Sequence, residues 1–237
     1  MKLKVINSSK KDGNMSPRFK DKEDVLSNKK EFFNKNDIDI NKSLKIKVTY
    51  SDNIFILDKD FIKDNDLSNI NIDTDCIITK EPNIFLYLYF ADCIPLIIYD
   101  NKNNVLAFAH MGWQSIELDL HKKIIQVLKE KYKTNPTDIK VVLGPSIKKE
   151  SYVLKNPSQL KLERWHPFLK EVKKDYYEID LSGYLVDSLN KEDIVNIEVS
   201  PIDTAKDNNY FSHYRCVYIN KDEKEGRFIV GAMMEDN

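Results

Sequence analysis

The stretch Phe90–Ser115, FADCIPLIIYDNKNNVLAFAHMGWQS, decides how the chain is read. Two apolar runs, IPLIIYD and VLAFAHM, flank the polar segment NKNN. Short apolar runs on either side of a turn-forming tetrapeptide predict a β-hairpin. Antiparallel pairing sets the start of the first run beside the end of the second, which brings Cys93 and His110 to one sheet edge. His110 ends its strand and precedes Met111-Gly112-Trp113, a strand-to-helix turn. A glycine there lets backbone approach a ligand closely, and a helix start favours an anionic one. The same two residues also fit a packed core, because free cysteine is among the most buried residue types.

Outward from the hairpin, DTDCIIT and NIFLYLYF read as β-strands around a KEPN turn. Leu44–Tyr50 alternates, with Leu44, Ile46 and Val48 on one face, and Asn53–Leu57 follows it as a hairpin partner or a bent continuation. KLKVIN at the start is a short strand. Asp21 to Asn36 reads as a surface helix. Ser115–Tyr132 carries Leu120, Ile124, Val127 and Leu128 on one helical face, with Ser115 as cap. DIKVVLGP is a buried strand ending in a Gly144-Pro145 turn. Pro157 to Val172 and Leu181 to Leu189 read as helices, and IVNIEVS as a strand. NNYFSHYRCVYI and GRFIVGAMM read as a final hairpin. No composition break marks a boundary, so residues 1–237 are expected to form a single compact α/β (α+β) domain, mixed β-sheets flanked by helices.

The totals narrow the function. Lys plus Arg (37) balances Asp plus Glu (38), so a polyanion binder is not expected and nucleic acid is not a partner. Cys76, Cys93 and Cys216 are odd in number and lack CxxC spacing, as in a reducing compartment. No signal peptide is visible, and the apolar run Ile84–Tyr99 is broken by Asp92 and Pro95. A cytoplasmic, monomeric protein without membrane attachment is expected.

Other residues invite weighing. Arg215, among aromatics in YFSHYR, fits a phosphate or carboxylate ligand, or a surface salt bridge. Asp92 fits an acid that orients a histidine, or a turn acid. His121 falls on the polar side of its helix, and His166 follows Trp165; both read as solvated or packed.

Six motifs stand in order: TDCIIT (Thr74–Thr79), ADCIP (Ala91–Pro95), AHMGWQS (Ala109–Ser115), GPSI (Gly144–Ile147), YFSHYR (Tyr210–Arg215) and GRF (Gly226–Phe228). Together they resemble the YfiH/YlmD-like family, the laccase-domain proteins. The order and spacing agree from about residue 44 onward. The resemblance implies a zinc ion at the pocket, held in relatives by two histidines and a cysteine. Carried over, Cys93 and His110 are two of these ligands and Tyr50 occupies the place of the third, so zinc binding is expected to be weak or absent. Gln114 and Ser115 replace an Arg-Gly pair, Val153 replaces an acid, and Tyr214 replaces the first of two arginines, whereas Arg215 matches the second.

The activities implied are those of a zinc-dependent purine nucleoside phosphorylase with adenosine deaminase-like chemistry, weakened by these substitutions. Cys93, His110 and Arg215 would be catalytic, and a nucleoside and phosphate the small-molecule partners. A peptidoglycan-precursor editing amidase or a Cys–His hydrolase is the alternative. A non-catalytic binding protein that keeps the fold is a third. Copper chemistry is not expected, because copper clusters need many imidazoles and the chain has four histidines with no His-x-His pair.

Overall fold

The structure is a computed structural model that describes residues 1–19 and 22–236. The hairpin forms as its sequence predicts: Ile94–Asp100 pairs antiparallel with Val105–Met111, with Pro95 opposite His110. Both strands are buried throughout, which requires cover on both faces.

That cover comes from two directions. Val105, Ala107 and Ala109, with Leu96 and Ile98, pack toward Ile124, Leu128 and Leu185 on the helices Leu120–Tyr132 and Leu181–Asn190. The alternate residues Leu106, Phe108 and Ile97 pack toward Leu44, Leu86, Leu88 and Phe228 of a second sheet. The outer face of the second sheet, Phe85, Tyr87 and Ile229, is closed by Phe32 and Phe33 of the helix Lys22–Lys35. The result is four layers, helix–sheet–sheet–helix, and the period-two alternation assigns each side chain to one of two adjoining cores.

The inner sheet of six strands runs Ile197–Val199, Ile139–Leu143, Ile94–Asp100, Val105–Met111, Cys76–Thr79, Ile54–Leu57. The five-stranded sheet runs Lys2–Asn7, Phe228–Glu235, Phe85–Phe90, Ser43–Lys47, Asn71–Asp73. A small sheet joins Val153–Lys155, Tyr176–Ile179 and Leu169–Lys173.

Several expectations change. Ser43–Lys47 and Ile54–Leu57 are not a hairpin; they lie in different sheets. The final hairpin is absent as well. Tyr214 is helical, Arg215–Ile219 forms a π-helix, and Phe228–Glu235 pairs instead with Lys2–Asn7 and Phe85–Phe90. One tertiary and one local bond override strand propensity here: Asp92 Oδ2 accepts from the Tyr214 N–H at 2.8 Å, and Ser212 Oγ from the Arg215 N–H at 3.0 Å. The Pro157–Val172 helix is replaced by 3₁₀ turns at Ser158–Lys161 and Glu163–Phe168 and the strand Leu169–Lys173, because Pro167 lacks the N–H a longer helix needs. The helix predicted from Ser115 breaks at Asp119, whose φ of 57° is left-handed. The helix over Asp21–Asn36 begins at Lys22, Asp21 lying outside the described residues, and Phe32 and Phe33 make it a core element.

Candidate functional site

Ser43–Lys47, Asn71–Asp73 and Phe85–Phe90 run parallel in the five-stranded sheet. After each, the chain crosses to the six-stranded sheet, at 48–53, 74–75 and 91–93. All three crossings lie at one end of the sandwich. They carry Thr49, Tyr50 and Ser51, then Asp75, then Cys93, and His110 faces them from the end of its strand.

Register does the positioning. Cys76 pairs with Ala109, so Asp75 is the cross-strand neighbour of His110, and the His110 N–H donates to the Asp75 carbonyl at 2.8 Å. Pro95 pairs with His110, which puts Cys93, two residues earlier, on the same face as a diagonal neighbour. His110 is 4% exposed and Asp75 fully buried. Phe90 of the facing sheet lies 6.1 Å from the His110 ring, centroid to centroid.

His110 Nδ1–H donates to Asp75 Oδ1 at 3.0 Å. Asp75 Oδ2 accepts from the N–H groups of Thr49 (3.1 Å) and Ser51 (2.9 Å) and from the Thr49 hydroxyl (2.6 Å). Burial alone would raise the Asp75 carboxyl; the bonds from His110, Ser51 and Thr49 outweigh it and hold the group at about 2. Burial alone would lower His110; the adjoining Cys93 sulfur and the hydrogen bonds to Asp75 and Cys93 hold it instead at about 9. An imidazole fixed by a buried acid, with its second nitrogen toward a thiol, is the arrangement that orients a proton donor or activates a nucleophile.

Gly112 completes the opening. A Cβ there would lie 3.1 Å from His110 Cε1, 3.3 Å from Cys93 Sγ and 3.6 Å from His110 Nε2. The missing side chain leaves room beside both reactive atoms.

The other candidates are placed differently. Asp92 does not orient His110; it accepts from the Thr204 hydroxyl at 2.6 Å and the Tyr214 N–H. Asp75 holds that position, and the sequence reading missed it inside its own TDCIIT motif. Arg215 is buried with every N–H committed: Nε and Nη2 to Glu223 at 2.6 and 2.8 Å, and the rest to the carbonyls of Thr204, Asp207 and Tyr210. It has no free donor for an anion in this structure. His121 is buried, not solvated on a polar face, with Nε2 2.8 Å from Ser188 Oγ; its spacing with Ile124, Ile125 and Leu128 puts it on the apolar stripe. His166 faces the Leu160 carbonyl at the surface and His213 pairs with Glu225. Burial pushes the Cys76 thiol up, which leaves it inert.

The donor set does not complete a zinc site. Cys93 and His110 Nε2 are two donors, and a catalytic zinc takes three protein ligands. Tyr50, in the third place, is 57% exposed on left-handed backbone (φ 55°) and sets its ring edge-on to His110, centroids 5.7 Å apart. Among the described residues no group of three or more His, Cys, Asp and Glu could hold a metal ion. The four histidines each have a different hydrogen-bond partner. No helix of the described residues is long and apolar enough to cross a membrane.

The chain is similar to proteins of known family. A stretch of 81 residues is 41% identical to the purine nucleoside phosphorylase YlmD of Bacillus subtilis, covering 34% of this chain and 29% of that protein's length. A match of 195 residues, 29% identical, joins it to a purine nucleoside phosphorylase of Clostridium acetobutylicum, covering 81% of this chain and 77% of that one. The crystal structure of YlmD from Geobacillus stearothermophilus superposes with a TM-score of 0.82 over 99% of this chain and 91% of that chain, at 20% identity, and so shares the fold. Residues 5–235 match the profile of the family described as multi-copper polyphenol oxidoreductase laccase, and the chain belongs to that family.

Proposed function

We propose that this chain is an enzyme that cleaves purine nucleosides with phosphate, at a centre made by Cys93, His110 and Asp75. The observation that carries the reading is the Asp75–His110–Cys93 arrangement beside the space at Gly112. Similarity to proteins named purine nucleoside phosphorylases supports the substrate class.

In phosphorolysis a phosphate oxygen bonds to the sugar C1′ while the bond from C1′ to the base nitrogen breaks. The electron pair goes to the base, which leaves most readily as it gains a proton. His110, held protonated up to about 9, carries that proton on Nε2, the nitrogen Asp75 does not occupy. Asp75 acts as a positioning residue: it fixes the ring and stabilises the imidazolium. The Cys93 sulfur holds the Nε2 proton between turnovers. Arg215, with its donors spent, braces the loop and does not touch phosphate.

The test is purified protein with inosine and phosphate. Hypoxanthine and ribose 1-phosphate should form, with neither in the absence of phosphate, and His110→Gln should reduce the rate at least a hundredfold, the scale of general acid catalysis. Base release no faster than the enzyme-free control would remove the reading.

A second reading rests on the same thiol. Cys93 Sγ, with His110 as its base, can attack an amide carbonyl, as in a peptidoglycan precursor, and His110 then protonates the departing amine. This hydrolysis needs no phosphate and passes through an acyl-enzyme on Cys93. Trapping that adduct by mass spectrometry, with no nucleoside cleavage, would favour it over phosphorolysis.

A further inference from the structure

A row of three tyrosines that the reacting centre does not use is tied, through Tyr214 N–H and Asp92, to the crossing that carries Cys93. Tyr152 and Tyr214 meet edge to face with ring centroids 6.0 Å apart, and Tyr214 and Tyr218 lie 4.8 Å apart at 35°. Burial raises the Tyr152 phenol, and the charges of Cys93, Tyr218 and Tyr214 raise it further.

The row is built rigidly from within. Tyr214 N–H is tied to Asp92, the residue before Cys93, and the Tyr214 hydroxyl donates to the Val153 carbonyl at 2.8 Å. The adjoining Arg215–Ile219 segment is a π-helix, a form that concentrates at functional sites because it re-aims side chains at a cost in backbone bonding. It is anchored by the buried Arg215 and its partner Glu223. The outermost ring, Tyr218, is 62% exposed, with Val217 and Ile219 beside it also exposed. An inner ring is thus fixed by bonds at both its backbone and its hydroxyl, and the ring tilted against it is largely exposed.

We propose that Tyr214 and Tyr218 form the stacking platform for the planar base of the nucleoside, with its sugar reaching toward Cys93 and Gly112. This rests on the reading of the centre as a nucleoside-cleaving one. The chemistry of the platform selects the base over the phosphate: it offers aromatic faces, and Arg215, which follows Tyr214 in the chain, is turned inward and neutralised by Glu223. Stacking of a base on an aromatic side chain tolerates any base, so the platform supplies affinity for the base without choosing between purines.

Equilibrium binding of inosine to the full chain, with ribose as the control lacking a base, tests this together with turnover. Tyr218→Ala should weaken inosine binding about tenfold and raise KM to match, with kcat much less affected, as expected for loss of one stacking contact. Tyr218→Trp should restore or exceed the original affinity, and ribose should distinguish none of the proteins. Equal inosine affinity in Tyr218→Ala and the unaltered protein, with phosphorolysis intact, would overturn the platform and leave the proposed activity standing. Inosine binding that depends on Tyr218, without any turnover, would support the platform and overturn the activity. An unaltered protein that does not bind inosine at all overturns both.

Discussion

Asp75 and His110 face each other across two antiparallel strands, joined by a backbone hydrogen bond at 2.8 Å and a side-chain one at 3.0 Å. The carboxylate is fixed from behind by Thr49 and Ser51. Asp75→Asn keeps the shape but puts an uncharged group against the imidazole. We expect kcat to fall by about a hundredfold or more with KM little changed, and the alkaline limb of the pH–rate profile to move to lower pH. Asp75→Glu should recover part of both. A profile that does not move would mean that the acid only supports the fold.

Gly112 tests the need for space. In Gly112→Ala the new methyl meets His110 Cε1 at 3.1 Å and Cys93 Sγ at 3.3 Å, so a ring or the sulfur must shift by a few tenths of an ångström. The backbone at this position is extended (φ −78°) and accepts alanine. Turnover should drop about tenfold or more while the melting temperature changes little, since displacement of reacting groups is costly to rate. Kinetics and thermal denaturation on the same sample measure both.

Arg215 is expected to matter for stability. Arg215→Met removes five donors and leaves Glu223, whose carboxyl the Arg215 bonds hold at about 2, beside Lys10 alone. Loss of one partner of a largely buried pair costs about 3 kcal/mol. Urea denaturation should register that loss, while the KM for phosphate in the folded protein stays within about twofold. A large rise in that KM would return Arg215 to the anion site.

His121 sets an acid limit. Burial depresses it from 6.5 to about 4. Between those values the unfolded chain binds the proton and the folded one does not, so this contribution is complete above about pH 6.5 and is lost as pH falls toward 4. The loss is on the order of 3 kcal/mol. His121→Gln should flatten stability over that window, as followed by urea midpoints at successive pH values.

We expect Tyr50 to be the residue that leaves the metal set incomplete. Tyr50→His would add a second imidazole next to His110 and Cys93, and histidine tolerates the left-handed backbone there better than most residues. The variant should hold zinc about tenfold or more tightly than the parent by chelator competition, because three donors make the usual zinc set. Equal, negligible zinc in both proteins would rule out this explanation of the Tyr50 position.

The hairpin was legible because its polar turn fixes the register, and Cys93 and His110 came with it. Asp75 was hidden because its place depends on the pairing of Cys76 with Ala109, between segments far apart in the chain. The sheet crossings were also hidden. Leu44 and Leu57 are equally apolar, and periodicity tells which face a residue takes but not which of two sheets receives the strand. Asn208–Ile219 reads as a strand because its aromatic and β-branched residues favour one. Bonds from Asp92 and Ser212, distant and local, decide otherwise.

Among the described residues, the first strand, Lys2–Asn7, has a single sheet neighbour, and it is the last strand, Phe228–Glu235. On the ribosome, Lys2–Asn7 therefore waits for a partner made long after it, whereas the pieces that carry Thr49, Asp75, Cys93 and His110 all emerge before that partner does. The chemistry-bearing end of the sandwich can take shape around a nascent chain well before the clasp that seals its outer sheet closes.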